Sequence, residues 1–535
     1  MTWRMSLLLA GLGLAVAVLV AAFQAAPGYM DADYYYAGGR DLATGHGFTE
    51  MVLWNYLDNP TGLPHPANAY WMPLASLLAA AGAALFGPTS WSAARVGFLA
   101  VAASLPPLTA ALAWSLSARR DLAITSGLLA VFPAFYLPFL PVTDTFGLYM
   151  LLGGLFFLVL SRFSPLTTHS SWLISAFFLG VISGLMHLSR ADGLLWFLMA
   201  LIAVLIFRKL GQSPISILYS WGCILLGYLL IMGPWFARNI SVFGTPLAPG
   251  GVKMLWLSSY DQLFAFPASQ LTLAAWWHSG LAAILEARVW SFGLNLATTL
   301  SVQAEVFLLP LIGLGIWHLR KDRRVRLAIL AWLLTLGGMT VAFPFAGARG
   351  GFFHSGAALQ TVWWALAPVG LERAIQWGRR KRGWNVVQAR TIFRVALIGL
   401  AVLLTVMIFW SRVIGGNAGL ASQPSQGNAW GQENYAYSLI DKYLVLHGAA
   451  AGDTVMVANP PGFYLESGNP AIAIPDGNIN TALAAARQYN ALYLILEAGS
   501  VPADLLTVYE NPKGQMDLTY LGEVEHARIF LIRNQ

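Results

Sequence analysis

Two carboxylates follow the first hydrophobic segment of the chain within the stretch PGYMDADYYYAGGRDLATGHGF, residues 27–48. Asp31 and Asp33 precede a tyrosine run that includes Tyr35. Ionisable groups at a membrane boundary are costly to desolvate, so they usually mark a site of chemistry or transport. A carboxylate there offers general-base catalysis, in which it accepts a proton from a reacting hydroxyl. The alternative is that one or both acids cap the helix that YYYAGGRDLA forms.

The composition is that of a membrane protein with many spans. Of 535 residues, 57% are hydrophobic and 10% are charged, whereas a soluble domain carries about 25% charged residues. The formal net charge of +7 does not indicate a nucleic-acid partner, because the basic residues cluster between hydrophobic segments as cytoplasmic anchors. A single cysteine, Cys223, excludes an intramolecular disulfide.

Eleven apolar runs have about the length that a bilayer core demands. They predict a mainly α fold, a polytopic membrane helix bundle of about 11 spans. The first run is expected to be an uncleaved anchor, since many more spans follow it. The predicted spans are 5–25, 92–116, 122–140, 146–160, 172–188, 193–207, 215–235, 299–317, 327–345, 357–375 and 393–410.

The basic clusters indicate the orientation of these spans. If residues 72–86 lie along the outer surface as a juxtamembrane helix, every basic cluster falls on one side of the membrane. We therefore expect a multi-pass protein of the plasma membrane, with a cytoplasmic N-terminus and an extracytoplasmic C-terminal domain. The clusters are Arg119/Arg120, Arg208/Lys209, Arg320/Lys321/Arg323/Arg324/Arg326 and Arg379/Arg380/Lys381/Arg382.

The chain is predicted to divide into a transmembrane domain (1–414), a polar linker (415–432) and a small α/β domain (433–535). The first loop, residues 26–90, is predicted to lie outside. In the last domain DTVMVAN, NTALAAARQY, ALYLILEAG and ARIFLIRN alternate as strand, helix, strand and strand. ANPPGFYLESG is predicted to be a loop at a strand end, where ligands bind in α/β sheets. A lid or spacer without chemistry is the alternative.

The predicted topology brings further polar residues to the same side of the membrane. Acids, bases and arginines that converge there are the groups that transfer from a phosphate leaving group needs. Each has an alternative: Asp144 could cap the next span, Arg190 could pair with Asp192, and Arg238 could snorkel to lipid headgroups. The candidates are Asp144, Arg190, Arg238, Arg349, His354, His65 and Tyr35.

Metal and sugar binding have weaker signals. His46, Glu50 and His65 could bind a metal, but no HxH or HExxH spacing is present. We expect no required cofactor and leave a divalent metal open. The 21 tryptophans predict an interfacial belt first and a sugar-stacking surface second.

The order of these features resembles the GT-C glycosyltransferases, particularly bacterial relatives of protein O-mannosyltransferases and of the aminoarabinose transferases of lipid A. The resemblance covers about residues 1–376. It implies that Asp31 or Asp33 activates or orients the acceptor and that Asp144 is the acid of the second outer loop. In place of the commoner Asp-Glu pair the chain has Asp31-Ala32, and its second loop has one acid. The motifs that carry the resemblance are the acids of MDADYYY, PHPANAYWMPL, LFGPTSWSAARV, TDTFGL and LSRADGLL.

The resemblance implies an inverting transfer of a sugar from a polyprenyl-phosphate donor to an extracytoplasmic glycan, lipid or protein acceptor. We expect Asp31 to be the base and Asp33 the helper, with Arg190, Arg349 and Arg238 stabilising the phosphate. The main alternative is a transporter or flippase of a lipid-linked saccharide, which predicts polar residues near the bilayer midplane and interrupted helices. In the sequence, the charges gather at the ends of the spans. A non-catalytic scaffold of the same fold is the third alternative.

Overall fold

The computed structural model describes residues 2–163, 169–207, 214–415 and 430–533, and it is mainly helical. Within these residues, six helices are long and apolar enough to cross a membrane, and four shorter helices are also apolar. The predicted fold class, a polytopic helix bundle followed by an α/β region, is confirmed. Most of the predicted linker and the Arg208/Lys209 cluster lie outside the described residues.

The first half of the chain supplies helices α1 to α10, most of which are apolar around their whole circumference. Such helices satisfy their backbone polar groups internally, which a bilayer requires. Their bounds are α1 (Trp3–Ala21), α2 (Met30–Ala43), α3 (Leu74–Phe86), α4 (Trp91–Ala94), α5 (Val96–Ser117), α6 (Arg120–Val131), α7 (Thr145–Leu160), α8 (His169–Ser189), α9 (Leu194–Phe207) and α10 (Pro214–Phe243).

The second half of the bundle is more irregular, because several helices end in a π-helical turn or are broken. The bounds are α11 (Gly250–Lys253), α12 (Leu273–His278), α13 (Leu281–Thr298), α14 (Leu309–His318), α15 (Arg323–Gly337), α16 (Pro344–Ala346), α17 (Phe352–Gly356), α18 (Gln360–Arg382) and α19 (Val386–Phe409). The later helices are α20 (Gln432–Leu446), α21 (Pro460–Ser467), α22 (Ile479–Tyr489) and α23 (Leu506–Glu510).

The predicted span 299–317 is wrong as one continuous helix. Helix α13 continues as a π-helical turn to Gln303, the helix is then interrupted by a non-helical turn, and α14 begins at Leu309. Glu305 lies in the break, fully buried and with φ of 45°, and its carboxylate accepts a 2.7 Å hydrogen bond from the Trp364 indole. Glu305 is thus a buried acid inside a predicted span, an exception to the pattern in which the charges gather at the ends of the spans.

The C-terminal region carries a six-stranded sheet in the order β2-β5-β4-β6-β8-β7, parallel from β2 to β6 and antiparallel beyond it. The three predicted strands are present, and β2, β5 and β7 are additional. ANPPGFYLESG is mostly helix rather than loop, because Asn459 caps α21 and prolines open it. The strands are β1 (Thr49–Glu50), β2 (Val52–Leu53), β3 (His65–Pro66), β4 (Thr454–Val457), β5 (Ala471–Ala473), β6 (Ala491–Glu497), β7 (Leu518–Val524) and β8 (Ala527–Ile532).

Strand β2 comes from the first loop, so the sheet joins two distant parts of the chain. Val52 and Leu53 pair in parallel with Ala471 and Ile472 of β5. Leu53 packs in the core of the C-terminal region, and the next residue, Trp54, packs in the core beneath α2 and α3. The first loop is thereby held between the membrane helices and the sheet.

Candidate active site

A cavity of about 330 Å³ lies where the first loop, the turn after α8 and the segment before α17 meet. Aromatic side chains make up much of its wall, as is usual for sites that bind organic ligands. The structure brings five of the predicted site residues to this one cavity: Asp31, Tyr35, Arg190, Arg349 and His354.

Asp31 belongs to the first turn of α2, which begins at Met30 with no side-chain cap. The side chain keeps 30% of its surface exposed, and its Oδ2 lies 3.6 Å from His354 Nε2. Burial raises the pKa of the Asp31 carboxyl to about 6, although His354 and Arg190 act in the opposite direction. A carboxyl with that pKa is ionised at neutral pH and basic enough to accept a proton efficiently.

Asp144 lies behind the cavity wall and is fully buried. It is the N-cap of α7, as one of its alternatives predicted, and it also contacts the site. Its carboxylate accepts hydrogen bonds from the Tyr29 hydroxyl and the Thr145 N–H, and its Oδ2 lies 3.3 Å from His354 Nε2. Burial acts to raise the pKa of Asp144, but the interactions with His354, Tyr29 and Thr145 outweigh it and lower the pKa. Asp144 is thus a fixed anion that holds its neighbours in place.

The loop that carries Asp144 is fastened directly to α2. The Thr143 hydroxyl donates a 2.7 Å hydrogen bond to the carbonyl of Ala32. Tyr29, immediately before α2, reaches Asp144 from the other direction. These two bonds fix the position of Asp31 relative to Asp144.

His354 is held on both ring nitrogens. Its Nδ1 lies 3.0 Å from the Gly350 carbonyl, and its Nε2 faces Asp144 and Asp31. The ring stacks on Phe146 at 3.8 Å. Since the Gly350 carbonyl can only accept, Nδ1 carries a proton, and Nε2 is the atom that meets the two carboxylates. His354 therefore orients these two acids.

A break at Gly350 positions Arg349 beside His354. Gly350 has φ of 117°, a left-handed conformation that glycine adopts without strain. The Arg349 guanidinium lies 4.8 Å from the centre of the Tyr260 ring. The cation is thus presented at the cavity by a turn that a bulkier residue would strain.

Arg190 is pre-organised by its own turn. Its Nε donates a 2.8 Å hydrogen bond to Asp192 Oδ1, and Tyr149 donates to Asp192 Oδ2 at 3.1 Å. The pKa of Arg190 is raised, because its burial is outweighed by Asp192 and other acidic neighbours. The predicted ion pair with Asp192 is present, and both partners line the cavity.

The structure places Asp33 away from the cavity. Its buried carboxylate accepts hydrogen bonds from Asn434 Nδ2 (3.0 Å) and Asn459 Nδ2 (2.9 Å), both in the C-terminal region. Burial, with a contribution from Glu433, raises the pKa of Asp33 to about 8. Asp33 joins α2 to α20 and α21.

Arg238 and His65 also lie outside the cavity lining. Arg238 donates to the carbonyl of Ala67 at 2.7 Å and contacts the ring of Trp235. His65 Nε2 lies 2.9 Å from Asp58, and its pKa is raised to about 9 because Asp58 and Glu50 outweigh burial. Both side chains fasten the first loop rather than face the site.

Several residues of the site were not among the predicted ones. Tyr29, which bonds to Asp144 behind the cavity, stands two residues before Asp31, and this proximity was its one signal. Trp54, Tyr70 and Trp71 stand in the aromatic stretches of the first loop, where the pattern predicted an interfacial belt instead. Tyr260 follows α10 in a segment with no motif, so nothing in the sequence pointed to it.

Asp31, Asp144 and His354 offer ligand atoms that all lie within 4.8 Å of one another. Two carboxylates and an imidazole suit a divalent ion such as Zn²⁺ or Mn²⁺. The bond from His354 Nδ1 to a backbone carbonyl leaves Nε2 as the ligand atom, which is the usual arrangement at metal sites. The residues present therefore fit a divalent cation.

The fold is that of solved membrane glycosyltransferases. ArnT from Cupriavidus metallidurans matches over 98% of this chain and 97% of its own, at 10% identity and a TM-score of 0.58. The same protein bound to undecaprenyl phosphate matches at 11% identity and a TM-score of 0.54, with the same coverage. The oligosaccharyltransferase AglB from Archaeoglobus fulgidus, in complex with an inhibitory peptide and a dolichol-phosphate, matches over 92% of this chain and 70% of its own, at 12% identity and a TM-score of 0.52.

Both ArnT and AglB are GT-C glycosyltransferases, so the predicted GT-C fold is confirmed. A structure of the Archaeoglobus fulgidus oligosaccharyltransferase with Zn and sulfate also matches, at 12% identity and a TM-score of 0.50, over 90% of this chain and 67% of its own. No protein-family model and no curated protein matches the chain.

Proposed function

We propose that this protein transfers a sugar from a polyprenyl-phosphate donor to an extracytoplasmic acceptor, with inversion at the anomeric carbon. The observation that carries the proposal is the cavity in which Asp31, Arg190, Arg349 and His354 meet, with Asp144 behind them. The fold shared with ArnT and AglB supports it, since those proteins are glycosyltransferases whose structures hold undecaprenyl phosphate and a dolichol-phosphate.

In the proposed reaction Asp31 accepts the proton of an acceptor hydroxyl. The oxygen attacks the anomeric carbon of the donor from the side opposite the phosphate, and the bond between that carbon and the phosphate oxygen breaks. The electron pair of that bond leaves with the polyprenyl phosphate. A single displacement of this kind inverts the anomeric centre. A positioned base typically contributes about 10²–10⁴-fold to the rate.

The departing phosphate needs charge stabilisation rather than a proton, because it is a weak base. Arg190 and Arg349 supply cations from separate elements on the cavity wall. A guanidinium matches phosphate oxygens with two parallel N–H donors. Asp192 holds Arg190 through Nε, and within the described residues the other N–H groups of the guanidinium donate no hydrogen bond and can meet the ligand.

Asp31, Asp144 and His354 are the residues that would hold a divalent cation. When bound, such an ion supplies positive charge that stabilises phosphate oxygens. In its absence Asp144 and His354 still orient Asp31 through the contacts described above.

One observation meets an expectation of the transporter alternative, namely the interrupted helix at Glu305. The Glu305 carboxylate bonds to the Trp364 indole and is not part of the cavity lining. Translocation of a lipid needs no general base, whereas Asp31 supplies one to the cavity, so glycosyl transfer accounts for more of the structure.

The direct test is a transfer assay with the purified full chain. A panel of polyprenyl-phosphate sugars is incubated with lipid, glycan and peptide acceptors, and the release of polyprenyl phosphate is measured, since every acceptor yields that product. We expect release by the wild type with at least one pair, and its loss in Asp31→Asn. Equal release by the wild type and Asp31→Asn would contradict the mechanism.

A further inference from the structure

An aromatic block occupies one wall of the cavity, and the proposed reaction gives it no role. It consists of Trp54, Tyr70 and Trp71 of the first loop, all of which line the cavity. Trp54 and Trp71 stack at 3.9 Å with 12° between their planes, and Tyr70 meets Trp54 edge-on at 4.8 Å. Tyr34 packs against Trp71 from α2 at 4.6 Å. The rings thus form a rigid unit.

The block is anchored from the C-terminal sheet. Strand β2 ends at Leu53, one residue before Trp54, and pairs with β5. Two residues after Trp54, the Tyr56 hydroxyl donates a hydrogen bond to the Ala473 carbonyl in β5, and the Tyr56 ring stacks on Tyr489. The chain is therefore held on both sides of Trp54, through the backbone of Leu53 and through the side chain of Tyr56. This arrangement gives the C-terminal region a part in shaping the cavity.

We propose that this aromatic block is a saccharide subsite, which binds the face of an uncharged sugar ring. The proposal rests on the proposed function and names the ligand chemistry of that cavity. One face of a pyranose presents C–H groups, and these pack against the electron-rich face of an aromatic ring. Trp54 is nearly covered, whereas Tyr70 and Trp71 are half-buried, so a ligand meets the latter two.

The position of the block relative to the charged groups supports the assignment. Asp31, Arg190 and Arg349 line the same cavity, so a sugar on the aromatic wall remains within reach of the base and of the phosphate-binding arginines. The sugar could belong to the donor or to a glycan acceptor. In both cases the block contacts the face of a sugar ring, and the experiment distinguishes a donor sugar from an acceptor glycan.

The test measures binding to the detergent-solubilised full chain, wild type against Trp71→Leu. The probes are undecaprenyl phosphate, the same lipid carrying a hexose or a pentose, and a panel of neutral oligosaccharides. If the block binds the donor sugar, the wild type binds the sugar-carrying lipid about tenfold more tightly than undecaprenyl phosphate. Trp71→Leu then binds the two lipids with similar affinity. If an acceptor glycan is bound, the oligosaccharide binding falls in Trp71→Leu while the two lipids bind alike. Either result supports the subsite.

Matched variants separate stacking from general packing. Trp71→Phe keeps an aromatic face and is expected to restore most of the affinity, whereas leucine fills space without one. Trp277→Leu, at an exposed tryptophan outside the cavity lining, is the control. If Trp71→Leu fails to fold, Tyr70→Leu is measured in its place.

Failure of the subsite is distinguishable from failure of the proposed function. If undecaprenyl phosphate binds the wild type but neither lipid-linked sugar nor oligosaccharide binding depends on Trp71 or Tyr70, the subsite is overturned alone. If no undecaprenyl-phosphate lipid binds the wild type, the proposed function is contradicted as well.

Discussion

Asp31 and Asp33 stand two residues apart in the first turn of α2, yet their carboxylates point to opposite sides of that helix. Asp31 faces the cavity beside His354, whereas Asp33 is bound by Asn434 and Asn459 of the C-terminal region. Two residues correspond to about 200° of rotation on an α-helix. The helix therefore presents one acid to the proposed chemistry and uses the other to dock on a second part of the molecule.

This separation predicts different effects for two matched substitutions. Asp31→Asn removes the proposed base and is expected to lower kcat by about 10²–10⁴-fold, while the protein still folds. Asp33→Asn disturbs a buried contact and is expected to lower thermal stability, with kcat of the folded fraction within about tenfold of wild type. Initial rates and melting curves of both purified variants decide the matter. A larger kcat loss in Asp33→Asn than in Asp31→Asn would reverse the assignment.

Arg190 is expected to contribute to phosphate recognition. Arg190→Ala should lower kcat/KM by about 10²-fold, since loss of one charge-stabilising donor at a reacting centre typically costs that much in rate. The kcat/KM of Arg190→Lys should lie between those of the wild type and of Arg190→Ala, because lysine keeps the charge but lacks the paired N–H donors of the guanidinium. The control is Arg288→Ala, whose guanidinium donates to Ile284 of its own helix. Similar losses in Arg190→Ala and Arg288→Ala would show a general electrostatic effect instead.

Glu305 allows a test of the transporter alternative. Its carboxylate accepts a hydrogen bond from Trp364, which a glutamine oxygen can also accept. We therefore expect Glu305→Gln to keep the transfer rate within about twofold of the wild type, because no charge there takes part in the reaction. The measurement is the release of polyprenyl phosphate by the two purified proteins. A loss as large as that of Asp31→Asn would favour a role for Glu305 in moving the lipid.

The sequence located the site residues that stand in short polar turns between apolar segments. Arg190, Arg349 and His354 belong to such turns and Asp31 belongs to the longer first loop, and the predicted topology alone brings them to one side of the membrane. Their meeting in one cavity agrees with that expectation. The individual roles remain proposals.

What the sequence could not predict depends on contacts between distant parts of the chain. Asn434 lies 401 residues after Asp33, so nothing near Asp33 indicated its docking role. Strand β2 has two residues and becomes a strand because β5 pairs with it. The interruption of the helix at Glu305 could not be predicted, because the surrounding residues are apolar enough to resemble one continuous span. Local patterns predict helices well here, and tertiary pairing determines the rest.

We expect the protein to bind a divalent metal ion that sugar transfer does not require. Since Asp31, Asp144 and His354 offer three suitable ligands, we expect the purified protein to bind Mn²⁺, measurable by its EPR signal. His354→Ala should weaken binding by more than about tenfold, because even second-shell changes cost that much at metal sites. We expect transfer to persist in EDTA, since Arg190 and Arg349 already stabilise the phosphate. Loss of transfer on chelation, restored by Mn²⁺, would show the opposite.

A cluster of acids beside Asp33 predicts a pH-dependent stability. The Tyr437 hydroxyl lies 3.1 Å from Oε1 of Glu433 and 3.1 Å from both oxygens of Glu497. A hydroxyl has one proton, so it cannot donate to two ionised carboxylates at once. Burial, together with Glu433, raises the pKa of Glu497 to about 8. The folded protein therefore holds a proton on this carboxyl that the unfolded chain releases at lower pH.

A raised pKa in the folded state stabilises the protein at low pH, and this contribution is lost as the pH rises through about 8. We expect the apparent Tm of the wild type to fall by a few degrees between pH 6 and pH 9. Glu497→Gln stays neutral, its amide can donate to Tyr437, and its oxygen can accept from the Ala458 N–H as Glu497 does. It should make the profile shallower, because Asp33 and His65, whose pKa values are also raised, still contribute, while Glu523→Gln, at a more exposed acid of β7, should leave it unchanged. A Glu497→Gln profile as steep as that of the wild type would assign the pH dependence to other groups.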